Sequence, residues 1–164
     1  MAREGWFYSG SRVLLSPETT ARMVKGKLVE LPKDAPERGK MNSRRVPLLM
    51  PLFRRYKSGN GGYVRGCNMA FWRSDLLAVN GYDESYTGWG CEDSDLVARL
   101  LFHRITPLKA SHCAICYHLW HPSPKKDDTF VRNNRLLEET RRNRHIRANE
   151  GLDKYLDEEV TIPH

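Results

Sequence analysis

Apolar and polar positions change rhythm several times along the chain, and each change marks an element. Val13 to Leu15 is a short apolar run with strand character. Ser16, Pro17 and Glu18 then form a helix start. Serine caps free amides, proline has no amide to satisfy at the first position, and glutamate favours the positive end. Gly26 is the matching stop. From Leu31 to Asn60 periodicity disappears, and Pro, Lys, Arg and Gly dominate. That stretch reads as a long mobile loop, with Ser58–Gly62 as a flexible turn. Order returns at Tyr63–Trp72, a strand-forming run interrupted by Gly66. A glycine inside a strand marks a bulge or a close backbone approach by a ligand. Ser74 caps a short helix predicted over Asp75–Val79, which Asn80-Gly81 ends. Leu96, Val97, Leu100 and Leu101 fall on one helical face, so Glu92 and Asp93 lie at that helix's N-terminal end. His112–Pro122 reads as a strand, and a last helix is capped near Thr129. Two convincing strands and one weak one are too few for a complete doubly wound domain. The chain therefore reads as part of an α/β domain.

The 164 residues are 40% hydrophobic and 29% charged, enough for one soluble domain or a large piece of one. No apolar run is long enough to span a membrane, and "MAREGWFYSG" lacks the apolar core of an export signal. A cytoplasmic protein is expected, with peripheral contact at the inner face of the membrane left open. The net charge of +7 is uneven. Residues 1–60 hold 13 Lys/Arg against 5 Asp/Glu, whereas the remaining chain is near balance. A basic third of this kind suits phosphate, anionic lipid or an acidic partner, and equally suits a solvated surface. No nucleic-acid recognition motif accompanies it, so a nucleic-acid partner is not expected. The four cysteines are expected reduced. Cys113 and Cys116, followed by His118 and His121, make a compact candidate zinc set. The short gap between the two pairs favours buried strand cysteines instead.

The stretch "GYDESYTGWGCEDSDLVARLL" concentrates the chemistry. Glu92, Asp93 and Asp95 cluster at one helix start, where the free amides and the dipole favour ionised carboxylates. Helix capping alone explains Asp95. It does not explain Trp89 set between Gly88 and Gly90, nor two adjacent acids. An indole face stacks on a sugar ring, while carboxylates accept hydroxyl hydrogen bonds and serve as general bases. The combination suits a hydroxyl-rich ligand.

"RGCNMAFWRSDLLAVNGYDESYTGWGCEDSDLVARL" resembles the acceptor half of the β-1,4-galactosyltransferases and, more closely, the C-terminal region of bacterial family 2 glycosyltransferases. Those families carry a small-residue strand, a short helix ending in Asn-Gly-aromatic, and Gly-Trp-Gly-x-Glu-Asp-x-Asp before a helix. The resemblance is clearest over 63–122. It implies a GT-A-type, Rossmann-like α/β fold, with residues 1–164 as a single partial domain. It also implies inverting transfer from a nucleotide sugar, UDP-linked, to a carbohydrate or glycolipid acceptor in polysaccharide or lipopolysaccharide synthesis. By position, Asp93 would be the catalytic base and Glu92 would hold the acceptor. Trp89 and Gly90 would shape the acceptor pocket, Gly66 would lie near the donor, and Asp95 completes the substrate-binding set. The metal, Mn²⁺ in preference to Mg²⁺, would be held by His118, with His121 as the fallback. Two residues depart from the pattern. Ser94 stands where the galactosyltransferases have Asp, and Cys91 where they have Gly. No Asp-x-Asp stands at the end of a strand, since Asp93-Ser94-Asp95 belongs to the acceptor loop. The nucleotide-binding N-terminal half is therefore expected to be a separate or missing part of the enzyme. The competing reading is a carbohydrate-binding module without activity.

Overall fold

A computed structural model describes residues 4–26, 36–38, 66–110, 113–123 and 127–156, with the backbone alone at 36–38. Among these, six strands form two three-stranded sheets. β1 (Trp6–Ser9) lies between β4 (Met69–Ala70), antiparallel, and β5 (Thr106–Lys109), parallel. β2 (Ser11–Leu15) lies between β3 (Pro36–Arg38), antiparallel, and β6 (Ile115–His118), parallel. This is a mixed α/β arrangement, as expected, with more strands than the pattern gave. Trp6–Ser9 and Thr106–Lys109 are four residues each and alternate weakly, so only their parallel pairing reveals them. Pro36–Arg38 likewise corrects part of the loop expected over 31–60, and the rest of that loop lies outside the described residues.

The two sheets follow one another along the same strands. β1 passes to β2 across Gly10 alone. An ideal Cβ there would stand 2.2 Å from Asn68 Nδ2 and 2.5 Å from the Ala114 carbonyl, so no larger residue fits. Asn68 bridges the break. Its backbone carbonyl accepts from Gly10 N at 2.9 Å, and its Nδ2 donates to the carbonyls of Ser11 and Ala114 at 2.8 and 3.1 Å. Thus a side-chain amide satisfies groups that a regular ladder leaves open at a bend. Gly66–Asn68 is consequently a 3-10 turn fixed at the bend, with only Met69–Ala70 continuing as strand. The continuous strand expected over Tyr63–Trp72 is corrected on this point, and Tyr63 to Arg65 lie outside the described residues.

Four α-helices and a final 3-10 turn at Leu152–Tyr155 complete the fold among the described residues. α1 (Pro17–Val24) starts as read: the Ser16 side chain accepts from Thr19 N, and Pro17 occupies the first position. α2 (Arg73–Ala78) begins two residues before its predicted start. Trp72 stands at its cap without a side-chain bond, because the Ser74 hydroxyl bonds Glu4 instead. Asn80 and Gly81 end it, both with positive φ. α3 (Glu92–Phe102) buries Leu96, Val97 and Leu100 against Phe7, Val79 and Ile105, with Phe71 stacked on Phe7 at 5.7 Å. α4 (Asp128–Asn143) is capped by Asp127, not Thr129, through a bond from Phe130 N. α4 packs on α3, and the chain then returns to clasp the loop after α2. Ala148 N and Leu152 N donate to the carbonyls of Val79 and Asn80. No helix among the described residues is long and apolar enough to cross a membrane.

Candidate functional site

The loop between α2 and α3 is shaped by four left-handed or glycine positions. Gly88, Gly90 and Cys91 have φ of 71°, 104° and 74°, and Gly81 opens the loop at 66°. Only Cys91 among them carries a side chain, and left-handed backbone is strained for it. The motif to which this loop bears a resemblance has glycine there, and the geometry supplies the reason. Cys91 also stands at the N-cap of α3 with no side-chain bond to the helix. Burial, and next the Glu92 charge, push the Cys91 thiol pKa up.

Asp93 stands half-buried in the first turn of α3. Its Oδ2 accepts from Gly66 N at 2.7 Å, a contact across 27 residues. Its Oδ1 receives the Tyr82 hydroxyl at 3.5 Å. The structure thus joins two residues singled out separately, Gly66 and Asp93, through the turn that Asn68 fixes. Tyr82 was not among the predicted site residues. Its signal was the aromatic after Asn80-Gly81. Burial first, and then the Asp93 charge, push the Tyr82 hydroxyl up to about 12, so it remains a donor at neutral pH. Glu92 is adjacent in the same turn, and its Oε2 is buried without a hydrogen-bond partner.

Trp89 is 45% exposed and stacks one face on Phe130 of α4, with ring centroids 5.6 Å apart. Gly90 follows it, and an ideal Cβ there would stand only 2.8 Å from the Phe130 ring. Asn133 donates from Nδ2 to the carbonyls of Thr87 and Gly90, both at 3.0 Å. Phe130 and Asn133 were missed in the sequence, where they are ordinary members of an amphipathic helix.

Asp95 is placed differently from its partners. It is 1% exposed and faces the core. Oδ2 pairs with Arg99 Nε at 2.7 Å, and Oδ1 accepts from the hydroxyls of Thr140 at 2.7 Å and Tyr86 at 3.1 Å. Arg99 in turn donates to the Val79 carbonyl at 2.6 Å. Asp95 is neither a cap nor a ligand-facing acid. It is the hub that joins α3, α4 and the end of α2, and its assignment to the substrate-binding set is corrected accordingly. Burial, and next the Asp95 charge, drive the Tyr86 hydroxyl pKa far above its ordinary value.

His118 ends β6, and its Nε2 stands 3.0 Å from Nε2 of His121. His121 Nδ1 lies 3.0 Å from the Pro122 carbonyl. Cys113 and Cys116 are free and half-buried. Among the described residues no three His, Cys, Asp or Glu side chains converge as a metal-binding group, so the four-ligand zinc set does not form there. His103 and the Arg141, Arg142 and Arg144 side chains are exposed, with Arg144 lying over the Phe102 ring.

Comparison with known proteins places this geometry in context. Residues 53–122 match the family model described as the N-terminal domain of galactosyltransferase. That description says N-terminal where the motifs suggested a C-terminal region. Mouse chondroitin sulfate synthase 3 is 32% identical over 73 residues, covering 38% of this chain and 8% of that protein. Human chondroitin sulfate synthase 3 is 35% identical over 61 residues, covering 37% of this chain and 6% of that protein. The chain thus spans less than a tenth of the length of these relatives, which are mammalian rather than bacterial. No solved structure matches. Together the matches support a galactosyltransferase-like glycosyltransferase over the segment that carries Gly66, Asp93 and the histidine pair.

Proposed function

We propose that this segment is the acceptor-binding and base-bearing part of a GT-A-type glycosyltransferase, moving a sugar from a UDP-linked donor to a carbohydrate acceptor with inversion. The observation that carries the reading is the bond from Gly66 N to Asp93 Oδ2 at 2.7 Å. It holds a carboxylate at a helix N-terminus with lone pairs left over, four residues after the exposed Trp89.

The chemistry follows from those residues. An acceptor sugar stacks on the open face of Trp89, since Phe130 covers the other. Glu92, half-buried in the same helical turn, takes a hydrogen bond from an acceptor hydroxyl on its carboxylate. Asp93 removes the proton of the attacking hydroxyl as its oxygen bonds to the anomeric carbon. The bond from that carbon to the donor diphosphate breaks on the opposite face, through an oxocarbenium-like state. Gly66 N–H and the Tyr82 hydroxyl hold the carboxylate oriented throughout.

A divalent cation, Mn²⁺ or Mg²⁺, fits His118 and His121 in part. Two Nε2 atoms 3.0 Å apart suit neighbouring positions on one ion, and imidazole suits Mn²⁺ better than Mg²⁺. When bound, the ion would offset the charge of the leaving diphosphate. Polysaccharide assembly is the setting in which such an acceptor arises, in line with the similarity to proteins named chondroitin sulfate synthase.

Asp93→Asn tests the assignment. Transfer from a panel of radiolabelled UDP-sugars to chondroitin sulfate oligosaccharides should fall by about 10²–10⁴-fold, the range of a lost general base. Circular dichroism should be unchanged. Near-normal transfer by this variant would remove Asp93 from the mechanism. Oligosaccharide binding without transfer by the unsubstituted chain would favour a binding module.

A further inference from the structure

We infer that Asn133 of α4 is the positioning residue of the acceptor loop, acting on Trp89 without touching substrate. The inference rests on the acceptor-site reading above. Asn133 is fully buried in a helix interior, where asparagine is a poor helix former and a leucine would bury more apolar surface. Its surroundings explain the choice. Both protons of one amide nitrogen go to the loop, one to Thr87 O and one to Gly90 O. These two carbonyls bracket Gly88 and Trp89. Asn133 Oδ1 has no partner, so the amide's hydrogen bonds are directed wholly at the loop.

A tryptophan between two glycines has little intrinsic order, since each glycine admits conformations that other residues resist. Fixing the carbonyl on either side removes that freedom. The neighbouring residues of the same helix surface add to the hold. Thr129 Cγ2 would lie 2.8 Å from a Cβ at Gly88, Phe130 backs the indole, and Arg132 donates to Thr87 Oγ1 at 2.7 Å and to the Ser85 carbonyl at 3.0 Å. α4 lies beyond the matched residues 53–122, so the plate and its support come from different parts of the chain.

The test compares Asn133→Leu with Leu137→Ala in the full chain. Leu137 is buried one turn further along α4, and its truncation weakens the helix packing while leaving the Asn133 amide in place. With UDP-sugar and chondroitin sulfate oligosaccharide as probes, Asn133→Leu should raise the acceptor KM about tenfold or more, as expected when a positioning contact is lost. The donor KM should stay unchanged. Leu137→Ala should lower the melting temperature and leave both KM values unchanged. Equal effects of the two variants, a rise in both KM values together, or no change in acceptor KM would overturn the inference. If Asn133→Leu does not fold, Asn133→Asp keeps the shape, faces both carbonyls with oxygen, and is read in the same way. Loss of transfer in Asp93→Asn with an inert Asn133→Leu sinks this inference alone. A fully active Asp93→Asn, or no oligosaccharide binding by the unsubstituted chain, sinks the acceptor-site reading and this inference with it.

Discussion

Gly66→Ala separates the fold from the site more cleanly than any other single change. A methyl group at residue 66 would lie 2.1 Å from Asp93 Oδ1, 2.5 Å from its Cγ and 2.6 Å from its Oδ2. Carbon and oxygen rest at about 3.3 Å or more, so the carboxylate must retreat by about 1 Å. Gly66 is not in the left-handed region, and alanine adds no backbone strain there. The obstructed group is the end of a side chain, so the fold should lose no more than about 1–3 kcal/mol, the usual cost of overpacking. Transfer should suffer far more. Misplacing a reacting group by about 1 Å costs on the order of 100-fold, and the same shift breaks the Gly66 N–H bond that orients it. Initial rates of transfer to chondroitin sulfate oligosaccharides, read beside thermal melts by circular dichroism, measure both effects. The expected result is a cooperative melt with a rate about 100-fold lower. A rate equal to that of the unsubstituted chain would refute the reasoning, because the methyl group cannot be placed without moving Asp93.

Asp95→Ala should destabilise by about 3–5 kcal/mol in urea titrations, because it leaves Arg99 charged and buried; a loss under about 1 kcal/mol would deny Asp95 its role as hub. Cys91→Gly should stabilise by about 1 kcal/mol, since φ of 74° is strained for cysteine and not for glycine, and a lowered melting temperature would contradict this. The Glu84 pKa lies below its ordinary value, first through the Tyr155 hydroxyl and then through Lys154. A depressed carboxylate contributes stability above its unfolded pKa and loses it as pH falls through the folded one. Tyr155→Phe should therefore move the Glu84 titration upward in carbon-13 NMR, towards the ordinary carboxylate range, and an unmoved titration would remove Tyr155 as the main cause.

The loop chemistry was legible because it is local. Helix periodicity after Leu96 put Glu92 and Asp93 at a helix start, and Ser16-Pro17 marked α1 to the residue. Gly66 stands out in the sequence as a break in a strand-forming run, but its place in a turn and its contact with Asp93 depend on Asn68 bridging two sheets, which no periodicity encodes. Asp95 misled for a related reason. Three acids in one helical turn look alike in sequence, yet a helix rotates each by about 100°. Asp95 thereby turns inward to Arg99 one helical turn on, while Asp93 faces the Gly66 turn. Phe130 and Asn133 were hidden because their partners are backbone and ring surfaces more than forty residues away.

The single-residue passage from β1 to β2 leaves the chain no slack for insertion or deletion. One residue added beside Gly10 would slip β2 against β6, where Leu14 faces His118. Because strand side chains alternate, Val13 and Leu15 would turn from the core to the surface. The Asn68 amide would lose its carbonyls at the bend, and the turn presenting Gly66 to Asp93 would come free. Length variation in descendants of this sequence should therefore avoid residues 9–11, although they lie far along the chain from every residue that handles substrate.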